Sequence, residues 1–161
     1  MKGMTSAGKW AFPVAILVAV ADQGSKAWIV GLHLGLGTGP GVLGPLRFTL
    51  VENTGISYGF FQSGAPWTRW LLAGFALVVT VVMGLWARRS ERLATALGSG
   101  LIMGGALGNV ADRVMRGAVV DFIDARGLDF PWIFNLADAA ITVGFCIWIA
   151  DSLLAPKRAG P

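Results

Sequence analysis

Several acids in this chain stand where acids are costly. Asp22 and Lys26 interrupt one apolar run; Asn109, Asp112 and Arg113 close another; Asn135 and Asp138 open a third. Asp121 lies in the connection between the last two. An ionisable side chain in a segment apolar enough to span a bilayer is expensive, and its presence is a functional signal. Two carboxylates close together in a poor dielectric cannot both ionise easily, so one proton is shared. One acid can then take a proton from water while the other protonates a carbonyl oxygen or a leaving amine. That chemistry hydrolyses a peptide bond with neither metal nor covalent nucleophile. Asp121 and Asp138 form such a pair if their connection folds back over the following helix; Asp112, Asp124 and Asp129 are rival partners.

Other chemistries lack parts. There is one cysteine, Cys146, and one histidine, His33. Neither a metal site nor a Cys–His or Ser–His–Asp arrangement can be assembled from them, so no metal or cofactor is expected. His33 reads as exposed or interfacial. Helical spacing gathers the remaining polar groups. Asp22 and Lys26 are i,i+4 and face each other. Asn109, Asp112 and Arg113 share a face by the same rule, as do Asn135 and Asp138. Beside each functional reading stands a plainer one, a hydrogen bond or ion pair that only joins helices. It suits Asp22 and Lys26 best, because an adjacent ammonium keeps a carboxylate ionised. It suits Asp138 least, since no basic residue is near it in sequence.

The elements that must position these groups are membrane spans. Hydrophobic residues make up 55% of the 161 residues and charged ones 14%, against about 25% charged in ordinary soluble domains. The composition excludes a soluble or disordered chain. A net charge of +4 is spread along the chain, so it reads as a topology signal and not as a nucleic-acid surface. A spanning helix needs about 20 apolar residues. Four candidates fit, at about 10–31, 67–87, 93–112 and 134–154, within a single domain, 1–161. Lys2 and Lys9, then Arg88, Arg89 and Arg92, then Lys157 and Arg158 alternate onto one side, which puts both termini in the cytoplasm. Arg47, Arg113, Arg116 and Arg126 fall on the other side beside acidic or polar neighbours. The first run also resembles a cleavable secretory signal ending at Ala19-Val20-Ala21, but its apolar character resumes through Ala27-Trp28-Ile29-Val30.

With that orientation every intramembrane polar group lies toward the outer face. The outward connections carry strand signals. Leu46 to Glu52 reads as a strand, Asn53-Thr54-Gly55 as a turn, and Ile56 to Phe61 as a segment that pairs back. Gly117 to Asp124 is a further strand-like run. The expected fold is an all-α membrane protein of four transmembrane helices with a small extracytoplasmic β-sheet. Gly104, Gly105 and Gly108 read as close-packing positions of the third helix. Phe60, Phe61, Trp67 and Trp132 read as an interfacial aromatic belt.

The motifs resemble those of bacterial lipoprotein signal peptidase (signal peptidase II), an intramembrane aspartyl peptidase. Asp22-Gln23-Gly24-Ser25-Lys26 resembles the first motif of that family. Glu52-Asn53-Thr54-Gly55 with Ser57-Tyr58-Gly59-Phe60 resembles the second, and Gly104 to Arg113 the third. Gly117-Ala118-Val119-Val120-Asp121-Phe122 resembles the fourth and Phe134 to Ile141 the fifth. Five motifs in family order across a four-span chain are a specific signal. The resemblance implies an aspartic endopeptidase of the bacterial cytoplasmic (inner) membrane. Its catalytic residues are Asp121 and Asp138. Its supporting or substrate-binding residues are Asp22, Lys26, Asn53, Gly108, Asn109, Asp112, Arg113 and Asn135. The implied substrate is a diacylglyceryl-modified prolipoprotein, cut before the lipidated cysteine with the site toward the extracytoplasmic face. It further implies a sheet that cradles the substrate, contact with membrane lipid, sensitivity to globomycin-type inhibitors and no nucleic-acid partner; a monomer is expected. The alternative class, a proton- or ion-coupled transport component, predicts acids spread across the membrane depth or paired repeats. A non-catalytic scaffold predicts that the acids matter only for assembly.

Overall fold

The computed structural model describes residues 3–33, 41–43, 45–55 and 67–154. Four helices dominate: α1 (Ala11–Gly31), α2 (Thr68–Ala87), α3 (Leu93–Met115) and α4 (Leu136–Leu154). Each is long and apolar enough to cross a membrane. α3 is the central one, with 67% of its apolar window buried against 11–22% in the other three. Its small residues explain why. A Cβ added at Gly100 would lie 2.6 Å from the carbonyl of Ala11, and one at Gly104 2.6 Å from that of Ala15, both on α1. At Gly98 it would meet the carbonyl of Gly144 at 2.8 Å, and at Gly105 that of Ala137, both on α4. Glycines on two sides of one helix thus let two neighbours approach to backbone contact. α2 instead turns Leu71, Phe75, Val78 and Val81 outward, as a lipid-facing helix does.

Four strands form one antiparallel sheet in the order β1 (Gly41–Leu43), β2 (Leu46–Asn53), β3 (Val119–Asp124), β4 (Ile133–Phe134). The β2–β3 register pairs Val51 with Asp121 and Asn53 with Val119. One extra residue of β2 is accommodated between Phe48 and Val51. Gly117, at φ +83°, makes the turn from α3 into β3, a conformation that suits glycine.

Sequence and structure differ in detail. The strand expected at 46–52 is present, and its long partner is β3, from the connection between α3 and α4. The segment 56–61 lies outside the described residues, as do Phe60 and Phe61 of the expected aromatic belt. The third helix runs to Met115, about a turn past 112, and carries Arg113 inside it. The fourth begins at Leu136, because Phe134 belongs to β4 and Asn135 caps the helix. His33 is exposed at the end of α1 in a left-handed turn.

Candidate active site

The site is built at the junction of helix ends and sheet. β3 delivers Asp121, and the first turn of α4 delivers Asp138; both are buried. Asn135 joins them. Its side-chain Nδ2 donates to Asp121 Oδ1 at 2.7 Å, while its Oδ1 accepts from the backbone N–H of Asp138 at 2.9 Å. The backbone N–H of Asn135 reaches back to Asp138 Oδ2 at 3.4 Å. This is a reciprocal helix-capping arrangement, placed so that its cap residue also holds the acid on the neighbouring strand. Asn53 Nδ2 donates to Asp121 Oδ2 at 2.9 Å, and Asn109 Nδ2 donates to Asp138 Oδ1 at 2.9 Å. The turn expected after β2 is present, with Gly55 N donating to Asn53 Oδ1 at 2.9 Å. Burial, then the neighbouring charge of Asp138, pushes Asp121 up to about 7.

A charged cluster lies beneath. Lys26 Nζ sits 2.8 Å from Asp22 Oδ2 and 2.8 Å from Asp112 Oδ2, with all three side chains fully buried. The i,i+4 pairing of Asp22 with Lys26 was legible in the spacing; the second carboxylate was not. Asp22 Oδ1 accepts from Ala137 N at 3.0 Å, tying α1 to the start of α4. Asp112 Oδ2 accepts from Val120 N at 3.2 Å, tying α3 to the strand that carries Asp121. Gly108 leaves room for this, since a Cβ there would collide with the Asp22 carboxylate.

Asp112 and Arg113 do not share a face. Successive helical residues point about 100° apart, so Asp112 turns to Lys26 while Arg113 NH2 donates to Gly55 O at 2.9 Å. Gln23 and Arg116 were not singled out from the sequence. Gln23 Nε2 donates to Asp22, Asp112 and the Gly108 carbonyl at 3.1–3.2 Å, and Arg116 pairs with Asp112. Proximity across helices reveals Gln23, whereas Arg116 stands four residues from Asp112 and its pairing could have been read from the spacing. The rivals for Asp138 are engaged elsewhere. Asp124 is bound by Thr49 and by Arg126, whose guanidinium holds its carboxyl well below the usual range. Asp129 stands at an exposed left-handed corner.

Beside Asp138 is a cavity of about 320 Å³. Leu72, Phe75, Ala76 and Val79 of α2 form one wall. Ile102, Ala106, Asn109 and Arg113 of α3, with Asp138, Ile141 and Thr142 of α4, form the other. An extended apolar segment lying there would present a polar backbone to Asp138.

Four membrane-length helices, a small sheet and a buried carboxylate–amide site define a multi-pass membrane protein with a buried polar centre. Residues 14–154 match the family model described as Signal peptidase (SPase) II. A lipoprotein signal peptidase of Caulobacter vibrioides is 45% identical, over 96% of this chain and 93% of that one. One from Methylorubrum extorquens is 42% identical, over 91% and 87%. A solved bacterial membrane enzyme, 28% identical, superposes with a TM-score of 0.77 over 97% of this chain and 99% of its own. The chain belongs to the signal peptidase II family, and it is a peptidase of lipoprotein processing.

Proposed function

We propose that this chain removes the signal peptide from prolipoproteins whose lipobox cysteine carries diacylglycerol, cutting just before that cysteine, with Asp121 and Asp138 as the catalytic pair. One observation carries the reading: Asn135 hydrogen-bonds both acids in a buried site beside an apolar cavity between helices. Family membership supplies the substrate class.

The step uses one shared proton. Burial and the neighbouring charge raise the proton affinity of Asp121, so the shared proton is assigned to Asp121 at the start. Asp138 takes a proton from water as its oxygen attacks the scissile carbonyl carbon, and Asp121 protonates the carbonyl oxygen. The diol then collapses. Asp138 gives its proton to the departing nitrogen, the C–N bond breaks, and a diol hydroxyl returns a proton to Asp121. The products are a signal peptide ending in a carboxyl group and a lipoprotein with a free cysteine amine. Asn53, Asn109 and Asn135 hold the acids in place. Asp22, Lys26 and Asp112 brace the helix ends, Gly108 admits Asp22, and Arg113 anchors the turn at Gly55.

Lys9 and the Arg88–Arg89–Arg92 group lie on one side of the spans, so that side is cytoplasmic by the positive-inside rule. The termini then face the cytoplasm, and the sheet and acids lie at the extracytoplasmic face of the inner membrane. The whole chain acts as one domain, as a monomer, and globomycin-type inhibitors compete for the cavity.

The test is a cleavage assay on purified protein with a prolipoprotein carrying or lacking the diacylglyceryl group. Cleavage of the lipidated form alone, lost in folded Asp121→Asn and Asp138→Asn, is expected. Cleavage that survives either substitution would overturn the choice of acids. A folded wild type that cleaves neither form would overturn the reading itself.

A further inference from the structure

We propose that Lys26 is a positioning residue: its buried ammonium fixes the amide of Asn109 so that the NH2 group, not the oxygen, faces Asp138. This rests on the catalytic reading above.

An ammonium has three donors and no acceptor. Lys26 places its donors on Asp22 Oδ2 and Asp112 Oδ2, each at 2.8 Å, and on Asn109 Oδ1 at 3.2 Å. Turning the Asn109 amide over would set its NH2 group against the ammonium and its oxygen against the Asp138 carboxylate, two repulsions at once. Asn135 Nδ2 also meets Asn109 Oδ1, at 3.2 Å, but its two hydrogens are divided among that oxygen, Asp121 Oδ1 and the Val120 carbonyl. Lys26 is therefore the donor that holds Asn109 when Asn135 turns to Asp121.

The charges around Lys26 come from every neighbouring element. Asp22 stands on α1, Asp112 and Arg113 on α3 with Arg116 beyond them, Asp121 on β3 and Asp138 on α4. The two nearest carboxylates, Asp22 and Asp112, touch it directly. Its field also extends to Asp121, where it opposes the upward push of burial. A group that only held helices together would not fix the orientation of an amide that hydrogen-bonds one of the acids.

The experiment uses the full-length protein in detergent and the lipidated prolipoprotein. Lys26→Met keeps the stem and removes the charge. A loss in kcat of about 10- to 100-fold is expected, the size found when a group that orients a metal ligand is removed, with little change in KM. The alkaline limb of the pH profile moves upward, because the cation that opposes protonation of Asp121 is gone. In an Asn109→Ala background the same substitution gives little further loss in kcat, since the amide it orients is absent. Multiplicative losses in kcat, or an unmoved limb, overturn the proposal. If Lys26→Met does not fold, Lys26→Met with Asp22→Asn removes the pair as a unit and leaves Asp112 to Arg116. If that variant also fails to fold, Lys26 is structural and the proposal falls. A wild type that does not cleave refutes the peptidase reading instead, so the two failures are distinguishable.

Discussion

Asn135 Nδ2 lies 2.7 Å from Asp121 Oδ1, while the same residue caps the helix that begins with Asp138. One side chain thus fixes the start of α4 and the lateral position of a strand. Because cap and bridge are one residue, Asn135→Ala should affect stability and turnover together. Loss of a cap costs typically about 1 kcal/mol. We expect a loss of stability of that order, read as a lowered Tm, and a kcat reduced at least tenfold, about 1.4 kcal/mol in the barrier. Thermal unfolding and cleavage kinetics on the same preparation check both.

The acids themselves should be indispensable. General acid–base catalysis contributes about 10²- to 10⁴-fold, so Asp121→Asn and Asp138→Asn should each lose at least that much kcat. Circular dichroism should still report folded helices. A variant that keeps turnover near wild type would assign the chemistry to another group.

The raised proton affinity of Asp121 predicts a pH dependence with a definite sign. Its folded value of about 7 exceeds the ordinary carboxylate value of about 3.9. The stability it contributes is full below the ordinary value and is lost as pH rises through about 7. The Tm should therefore fall over that window, and Asp121→Asn should flatten the fall. Turnover should decline on the alkaline side of the same value as the shared proton leaves. Asp124, held below the usual range by Arg126, acts in the opposite sense and weakens the fold only as pH falls. Melting curves and kcat across the pH range test each part.

The glycines of α3 make a packing prediction. A Cβ at Gly104 would lie 2.6 Å from the Ala15 carbonyl and 3.0 Å from Ala15 Cα, whereas one at Gly74 would meet nothing within 4 Å. Overpacking costs about 1–3 kcal/mol, so Gly104→Val should lower the Tm sharply and Gly74→Ala should leave it nearly unchanged. Equal effects at the two positions would mean that α1 and α3 are not held at backbone contact.

How much of this was legible in the sequence depended on range. The four spans were, because each apolar run is a local signal. So was the Asp22–Lys26 pair, four residues apart on one helix. Leu46 to Glu52 was readable as a strand, but its partner β3 lies beyond α2 and α3, and no local pattern encodes so distant a pairing. The grip of Lys26 on Asp112 and the contacts of Gln23 with Asp112 and Gly108 arise where α1 and α3 cross, whereas the Asp112–Arg116 pair and the divergence of Asp112 from Arg113 follow from the helical period itself. Five motifs named the residues that converge; their hydrogen-bond directions came only from the three-dimensional arrangement.

The cavity beside Asp138 has α2 as one wall, and α2 is the helix with the smallest share of its span buried. If Asp138 is catalytic, as proposed, a signal-peptide segment reaching it past that wall would come through the lipid and not from bulk water. The concentration that governs turnover is then a mole fraction in the bilayer, not a molarity. Adding inert lipid at constant substrate should slow the reaction by surface dilution, whereas changing the aqueous volume should leave it unaltered.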